Sequence, residues 1–305
     1  MKKRASIAVL MSVYKNESPK YLELALHSVW DNQTLLPEQI ILVQDGDVPK
    51  ELSDVIDQWK TKLGEVLVYS KNEYNLGLTK SLIKGIQFVK TKYIARMDSD
   101  DICLPERFEK QFNFLEQNHD IAVLGSNAQE IDEDGTYTQV RKYPSDPKQV
   151  PNYICRATPL QHSAVMMRTS LFTEGLLSYN PKYRMTQDLA LWFDVLAAGY
   201  KISNLDEVLF LFRITKNTFK RRNVSKAFFE FEIYMKGIFK IKTLTWRYIF
   251  PISRLIMRLM PKWLIRFIYE SRFRRNVLSV NGKEFFDKSG NKKFWSFLAK
   301  MFRLT

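Results

Sequence analysis

Short apolar runs alternate with longer stretches of helical spacing between residues 6 and 97. Residues 6–13 and 39–44 are nearly continuous in apolar side chains, which is typical of strands buried on both faces of a sheet. Between them, residues 21–30 place apolar side chains three and four positions apart, as an amphipathic helix does. The alternation continues with a helix at 51–63, a strand at 66–69, a helix at 78–89 and a strand at 93–97. It predicts an α/β fold with a Rossmann-like, mostly parallel sheet flanked by helices.

The remaining pattern is less regular and predicts the same kinds of element. It indicates a helix over 105–118, a strand over 121–125, a hairpin turn at 132–135, a strand over 161–168, a helix over 188–198 and a strand over 208–214. Asn16, Asp45 and Asp98 each follow the end of a predicted strand. Ligands of such sheets bind beyond the carboxyl ends of the strands, so we expect these three residues to converge at one edge.

Charge is divided unevenly along the chain. Residues 216–305 hold 22 Lys and Arg against 5 Asp and Glu, a net charge of +17, whereas residues 1–215 carry a net charge of −3. The mildly acidic first part is interpreted as a catalytic domain, and its charge argues against a groove for nucleic acid. The two cysteines provide neither a disulfide framework nor a Cys-based zinc site, which favours a reducing compartment.

Residues 216–305 are interpreted as a basic, amphipathic, helical region that associates with a membrane. Lys240, Arg247 and Arg254 recur every seven residues, and cations recur every four from Arg254 to Arg266. These spacings predict cations on one helical face and apolar side chains on the other, docked on an anionic membrane surface. The alternative is that the apolar faces pack on the catalytic domain. No uncharged apolar stretch reaches about 18 residues, so a membrane-spanning helix is not expected.

The stretch from Ile94 to Asp101 carries the strongest sign of chemistry, because a predicted strand leads into three acids within four positions. Side chains alternate along a strand, so Asp98 and Asp100 point to the same side. Oxygen ligands of this kind suit Mg²⁺ or Mn²⁺, which bind one or two carboxylates together with substrate phosphates. The alternative interpretation is an Asp-rich turn after a strand.

Several short motifs follow one another in an order that resembles a known family. They are Met11–Glu17, Val43–Gly46, Asn75–Ser81, Met97–Asp101, Gln161–Ser163, Thr186–Trp192 and Phe212–Arg213. In order and spacing they resemble glycosyltransferase family 2, in particular the bacterial members that build capsule, exopolysaccharide or O-antigen units. The amylovoran-biosynthesis transferases are the most similar in pattern. The resemblance covers about residues 5–215.

The resemblance implies a GT-A fold and an inverting transfer of one sugar from a nucleotide-diphosphate sugar to a lipid-linked saccharide acceptor. UDP is the expected nucleotide, with Asp45 binding the uracil ring and Ser12, Tyr14 and Glu17 lining the nucleotide pocket. The Gln-x-x-Arg-Trp signature of processive synthases is absent from the sequence, which favours transfer of a single sugar. The implied location is cytoplasmic, with peripheral attachment to the inner face of the cell membrane.

For the transfer step, the resemblance implies that Asp100 holds Mn²⁺ or Mg²⁺ and that Asp98 contacts either the cation or the ribose. Asp188 matches the catalytic base, and the dipole at the start of a helix favours its carboxylate form. Gln187 departs from the family, which usually has Glu at this position. The alternative for Asp188 is a purely structural helix N-cap.

Two further residues are candidates for contacts with the diphosphate or the acceptor. His162 lies in a predicted apolar strand, where the alternative is a hydrogen-bonded histidine of the core. Arg213 lies near the end of a predicted strand, and its planar guanidinium suits phosphate. The alternative for Arg213 is an ion pair with an acid at the surface.

Three other classes of protein are compatible with parts of the pattern. A sugar nucleotidyltransferase also combines a parallel sheet with carboxylates and a metal, but it usually has a glycine-rich basic loop after the first strand. A Rossmann dehydrogenase is disfavoured because the sequence contains no G-x-G-x-x-G motif. A non-enzymatic protein that binds membranes or nucleic acid would explain the basic region but not the clustered acids.

Overall fold

The protein is described by a computed structural model, which covers residues 2–215 and 224–259. The strands are β1 (Arg4–Val13), β2 (Leu36–Asp45), β3 (Leu67–Asn72), β4 (Tyr93–Arg96), β5 (Ile102–Cys103), β6 (Ile121–Ile131), β7 (Tyr137–Arg141), β8 (Met166–Arg168) and β9 (Lys201–Arg213). The helices are α1 (Pro19–Val29), α2 (Lys50–Leu63), α3 (Leu78–Ile86), α4 (Arg107–Gln117), α5 (Val150–Tyr153), α6 (Ser170–Thr173), α7 (Gln187–Ala197), α8 (Val224–Lys242) and α9 (Ile249–Leu259).

One mixed sheet runs through the molecule in the order β3-β2-β1-β4-β8-β6-β9-β5, with β7 paired to β6. The first four strands of this order are parallel to one another, and β6 is parallel to β9. Strand β8 enters antiparallel between β4 and β6. The predicted mostly parallel sheet is therefore confirmed, and the ends of β1, β2 and β4 meet at one edge.

Helices cover both faces of the sheet, as the continuous apolar runs predicted. Ile7 and Val9 of β1 face a core that also contains residues of α1, α2 and α4. Ala8 and Leu10 face a second core formed with α3, α7 and α8. Strand residues alternate between faces, so a strand that is buried on both sides must be apolar throughout.

The prediction of a single strand over 161–168 is wrong in its first half. Residues His162–Ala164 form a 3-10 turn, in which the Ala164 N–H donates to the Gln161 carbonyl at 2.9 Å, and only Met166–Arg168 pairs in the sheet. Ala164 and Val165 are buried in the cores without belonging to a strand. Burial of a short apolar run therefore does not by itself distinguish a strand from a turn.

Strand β9 begins at Lys201 rather than at the predicted residue 208. Its first residues pair with β6, but many of them are polar, so the apolar pattern did not indicate a strand there. Ser203 and Asn204 are buried there. The Ser203 hydroxyl donates to the Ser145 carbonyl at 2.6 Å, and the Asn204 amide donates to the Pro144 carbonyl at 2.9 Å. Because buried polar groups with hydrogen-bond partners are tolerated, no apolar pattern marks this half of the strand.

Helix α8, in the basic region, packs against α7. Ile233, Tyr234 and Ile238 are buried in the same core as β1 and α7. A Cβ added to Gly237 would lie 2.2 Å from Cγ of Phe193, so the absence of a side chain at Gly237 permits this close approach of the two helices. The alternative in which an apolar helical face packs on the catalytic domain therefore describes α8.

The rest of the basic region is described only in part. Lys262 and Arg266, which continue the predicted stripe of cations, lie outside the described residues. None of the helices within 2–215 and 224–259 combines the length and apolar character that crossing a bilayer requires.

Candidate active site

An acidic cluster, formed by Asp98, Asp100 and Asp101, follows the end of β4. Carboxylate oxygens from all three residues lie within 4.8 Å of one another. Asp98 and Asp100 are partly exposed, and Asp101 is buried. The sequence predicted Asp98 and Asp100 as a pair, and the tertiary structure adds Asp101 from the same turn.

Arg96 provides a buried positive charge beneath the acidic cluster. Its side chain is 1% exposed, and its Nη2 forms an ion pair with Oδ1 of Asp98. Burial alone would lower the pKa of Arg96, but the charge of Asp98 and the hydrogen bond to it, together with the charges of Tyr179 and Asp101, raise it. Arg96 is therefore a permanent cation that fixes one oxygen of the Asp98 carboxylate.

Asp101 is in the least favourable place for a negative charge. Burial raises the pKa of Asp101 well above its usual range, and the charges of Asp100 and Asp98 raise it further. The backbone N–H of Arg213 donates to its Oδ1 at 2.8 Å. A divalent cation would offset the repulsion among the three carboxylates, and their hard oxygen donors fit Mg²⁺ or Mn²⁺.

Arg213 connects the acidic cluster to the neighbouring β6–β7 turn. Its Nε donates to the Asp100 carbonyl at 2.9 Å, and its Nη1 donates to the Asp132 carbonyl at 3.0 Å. Its guanidinium lies over the ring of Tyr21, 4.2 Å from the ring centroid. These contacts make Arg213 a positioning residue for the acidic turn, and the phosphate contact remains a prediction.

Asp188 lies in the first turn of α7, where the helix dipole favours a carboxylate. The N-cap position is Thr186, so the alternative in which Asp188 merely caps the helix is wrong. Thr186 has a positive φ of 63°, which is rare for a β-branched residue and costs conformational energy. This strained entry precedes Gln187, which is buried, and Asp188, which is partly exposed.

Tyr179 is buried and responds to charges on both parts of the predicted site. Burial raises the pKa of Tyr179; the charge of Arg96 opposes this, and the charges of Asp188 and Asp98 add to it. No feature of the sequence pointed to this tyrosine.

His162 lies in the turn that precedes β8 and not in a strand as predicted. Its Nε2 and the Tyr179 hydroxyl are 2.8 Å apart, and its ring lies edge-on to Trp192. Burial and the nearby Arg96 charge lower the pKa of His162 well below its usual range. His162 is therefore a neutral imidazole that orients Tyr179, and its contact with diphosphate or acceptor remains a prediction.

Asp45 ends β2 and holds the loop that opens α3. Its carboxylate accepts hydrogen bonds from the Leu76 and Gly77 backbone N–H groups, each at 2.8 Å, and from the Asn72 amide at 2.9 Å. The next residue, Gly46, has a φ of +81°, and a Cβ there would lie 2.8 Å from the Asn75 nitrogen. Asp45 therefore fixes the loop, and its contact with uracil remains a prediction.

The other residues of the predicted nucleotide pocket lie beside Asp45. Ser12 is near the end of β1, paired in register with Val43 of β2. Tyr14 and Glu17 form the following turn, in which the Glu17 N–H donates to the Tyr14 carbonyl at 3.0 Å. All three are partly exposed. The structure thus brings these residues to the edge that also carries the acidic cluster, as the strand ends predicted.

Residues 8–175 match a protein family described as Glycosyl transferase family 2. The chain is 33% identical over 266 residues to the amylovoran biosynthesis glycosyltransferase AmsE of Erwinia amylovora, across 86% of this chain and 97% of the relative. It is 31% identical over 275 residues to an Escherichia coli UDP-Gal:alpha-D-GlcNAc-diphosphoundecaprenol beta-1,3-galactosyltransferase, across 88% and 96% of the two chains. The chain therefore belongs to glycosyl transferase family 2, which confirms the resemblance and identifies a glycosyltransferase.

Solved structures confirm the fold. S. aureus TarS 1-349 in complex with UDP-GlcNAc is similar with a TM-score of 0.60 at 18% identity, across 90% of this chain and 76% of that chain. The predicted GT-A fold is confirmed by this similarity. The rival classes, a nucleotidyltransferase, a dehydrogenase and a non-enzymatic binding protein, are set aside by the family match over residues 8–175.

Four residues that belong to the site or act on it electrostatically had no role predicted from the sequence. Asp101 was visible as the third acid of the motif, and Arg96 as a charge inside an apolar strand. Tyr179 and Tyr234 carried no such signal, because each comes from a segment distant in sequence. Burial raises the pKa of Tyr234, and the charge of Asp188 adds to that effect.

Proposed function

We propose that this chain is an inverting transferase that moves one sugar from a UDP-sugar to a lipid-linked saccharide in the synthesis of a surface polysaccharide. The observation that carries the proposal is the acidic cluster at the end of β4, whose carboxylate oxygens lie within 4.8 Å of one another in a chain of glycosyl transferase family 2. Asp188, in the first turn of α7, is a separate carboxylate on a different element. An inverting transfer needs such a pair of functions, because the leaving diphosphate and the attacking hydroxyl lie on opposite sides of the anomeric carbon.

On the donor side, the acidic cluster would hold Mn²⁺ or Mg²⁺ against the diphosphate of the donor. Asp100 and Asp98 are the proposed ligands, and Asp101 lies close enough to support them. The cation, when bound, acts as a Lewis acid that stabilises the charge developing on the leaving UDP. Arg96 orients Asp98, and Arg213 fixes the backbone of Asp100, so both carboxylates are positioned before the donor arrives.

On the acceptor side, Asp188 is the proposed general base. It would take the proton from the acceptor hydroxyl as the oxygen attacks the anomeric carbon from the face opposite UDP. Its place in the first turn of α7, where the helix dipole favours a carboxylate, suits this role. Gln187 is buried beside it, in the position where the family usually has Glu. An amide can orient a sugar hydroxyl through hydrogen bonds but cannot take its proton.

The names of the relatives support the choice of donor and acceptor. The Escherichia coli relative is named for a UDP-Gal donor and a diphosphoundecaprenol-linked acceptor, and the TarS structure holds UDP-GlcNAc. A lipid-linked acceptor remains in the bilayer, so the enzyme that uses it works at the membrane surface. The net charge of +17 on residues 216–305 supports peripheral attachment to the anionic inner face of the cell membrane.

The proposed function is tested with purified full-length protein, a panel of UDP-sugars and undecaprenyl-diphosphate-linked GlcNAc as acceptor. We expect one UDP-sugar to be consumed in the presence of Mn²⁺, with a single sugar added and the anomeric configuration inverted, as measured by mass spectrometry and NMR. The matched nucleotide control is GDP-mannose, which should not react. A product with retained configuration, or turnover that chelation leaves unchanged, would contradict the proposed mechanism.

A further inference from the structure

Helix α9 exposes its apolar residues and turns its arginines toward the protein. The exposed fractions of four apolar side chains lie between 41% and 51%: Ile249, Ile252, Ile256 and Leu259. With about 100° between successive helical residues, these four positions fall within one narrow arc of the helix. They are called the apolar stripe below. A helix of a globular protein normally buries such a stripe against the core.

The arginines of α9 occupy the opposite, inward side. Arg254 donates from Nη1 to the Tyr234 hydroxyl at 3.2 Å and from Nη2 to the Arg156 carbonyl at 2.5 Å. Arg258 forms an ion pair with Glu230 of α8 at 2.6 Å. Polar contacts with α8 and the catalytic domain therefore fix the orientation of the helix and hold the apolar stripe outward.

The surroundings of the apolar stripe match the interfacial zone of a membrane. Leu244 and Trp246, in the connection that precedes α9, are also strongly exposed. Arg247 lies over the Trp246 ring, 5.1 Å from the ring centroid. Tryptophan and arginine beside an apolar surface are the residues that anchor proteins at the level of lipid headgroups.

We propose that the apolar stripe of α9, with Leu244 and Trp246, inserts into the interfacial zone of a lipid bilayer, at the level of the headgroups, and holds the active site at the membrane. The inference rests on the proposed function in one respect, because membrane attachment would bring the enzyme to a lipid-linked acceptor that lies in that bilayer. Attachment through this surface is mainly hydrophobic, since Arg254 and Arg258 are engaged within the protein. The sequence predicted that cations on one helical face and apolar side chains on the other would both contribute to membrane binding; on α9 the apolar face makes the contact.

A second copy of the chain is a poorer match for the same surface. Contact between two copies through α9 would bring together two regions that each carry a net charge of +17. Like charges of this size oppose association, whereas an anionic bilayer attracts them. The charge of the region thus favours a bilayer as the occupant and adds to binding at low salt.

The test compares full-length protein with the Ile252→Ser/Ile256→Ser variant in liposome flotation. The matched control is Val140→Ser/Leu176→Ser, which removes two exposed apolar side chains elsewhere on the described surface. Liposomes are neutral phosphatidylcholine or contain anionic phosphatidylglycerol, and each is used at low salt and at about 1 M salt, where charges are screened beyond about 3 Å. Thermal unfolding, sedimentation and hydrolysis of the UDP-sugar donor are measured without lipid.

We expect wild type and control to float with neutral liposomes even at high salt, and the stripe variant to bind about tenfold or more weakly, from the apolar area removed. Donor hydrolysis and the unfolding temperature should be unchanged in the stripe variant. Equal flotation of variant and wild type, or release of wild type at high salt, would overturn the proposal. So would a lower unfolding temperature of the variant, which would indicate that the chain itself covers the stripe, or a wild-type dimer that the variant loses. Absence of donor hydrolysis in every protein would contradict the proposed function and leave the flotation result valid.

Discussion

The acidic cluster and Asp188, the proposed catalytic base, are held by different parts of the molecule. Asp98, Asp100 and Asp101 follow a central strand, and their supports, Arg96 and Arg213, also belong to the sheet. Asp188 starts a helix whose outer face is covered by α8, from beyond residue 215.

The two parts of the proposed site therefore depend on different regions of the chain. The residues proposed for the donor side, both arginines and all three acids, lie within residues 1–215. The helix that carries Asp188 on the proposed acceptor side packs on the basic region, where Gly237 of α8 lies against Phe193 of α7. Changes in the cluster should therefore affect donor binding, and changes in α8 should affect turnover and stability.

The largest effect is expected for Asp100→Ala, which tests the proposed role of the acidic cluster on the donor side. Loss of a central ligand of the cluster should abolish transfer and remove the part of UDP affinity that depends on Mn²⁺. Calorimetric titration of UDP with and without Mn²⁺ measures this, and Asp54→Ala at an exposed position is the control. Transfer by Asp100→Ala near the wild-type rate with chelator present would contradict the assignment of Asp100.

The next largest effect is expected for Asp188→Asn, which addresses the acceptor side alone. The amide keeps the shape of the side chain and loses its basicity, so turnover should fall by roughly 10²–10⁴-fold. UDP affinity and the unfolding temperature should change little, because the supports of the donor side remain intact. Parallel losses of UDP affinity and stability would instead indicate a structural role for Asp188.

The Gly237→Ala variant tests whether the acceptor side depends on α8. The new methyl group would meet the Phe193 ring, and overpacking of this kind costs about 1–3 kcal/mol of unfolding free energy. Turnover should fall with stability, while Mn²⁺-dependent UDP binding persists in the folded fraction.

Two further variants control the Gly237→Ala experiment. Phe193→Leu in the same chain should restore part of the lost stability, because it makes room for the methyl group. Lys236→Ala, at an exposed position of the same helix, should have no comparable effect. Full stability of Gly237→Ala would mean that α8 does not pack on α7 as described.

The smallest effect is expected for Tyr234→Phe, which removes the hydroxyl through which Tyr234 of α8 accepts a hydrogen bond from Arg254 of α9. Loss of the hydrogen bond from Arg254 should cost about 0.5–1.5 kcal/mol of unfolding free energy. Turnover should fall a few-fold because the surroundings of Asp188 change. Tyr248→Phe is the matched control, since its hydroxyl donates to the Thr243 carbonyl away from Asp188. Equal turnover in the two variants would show that the Tyr234 hydroxyl does not influence catalysis.

The sequence alone predicted the alternation of strands and helices in the first half of the chain and the position of the acidic motif after a strand. Continuous apolar runs predicted the buried parallel strands, because a strand covered on both faces has no polar side available. Since parallel strands end at one edge, the same pattern predicted that Asn16, Asp45 and Asp98 would lie near one another. Asp188 was placed at the start of a helix by the resemblance and the apolar spacing together.

Only the tertiary structure decided which residues surround those acids and which way each helix of the basic region faces. Arg96, Tyr179 and Tyr234 act on the site from separate elements, and no local spacing encodes such contacts. Helices α8 and α9 are both amphipathic, yet α8 buries Ile233 and Ile238 while α9 exposes its stripe. An amphipathic pattern states that a helix has two faces. Which face meets the protein depends on partners such as Gly237 at Phe193 and Arg258 at Glu230, which come together only in the folded chain.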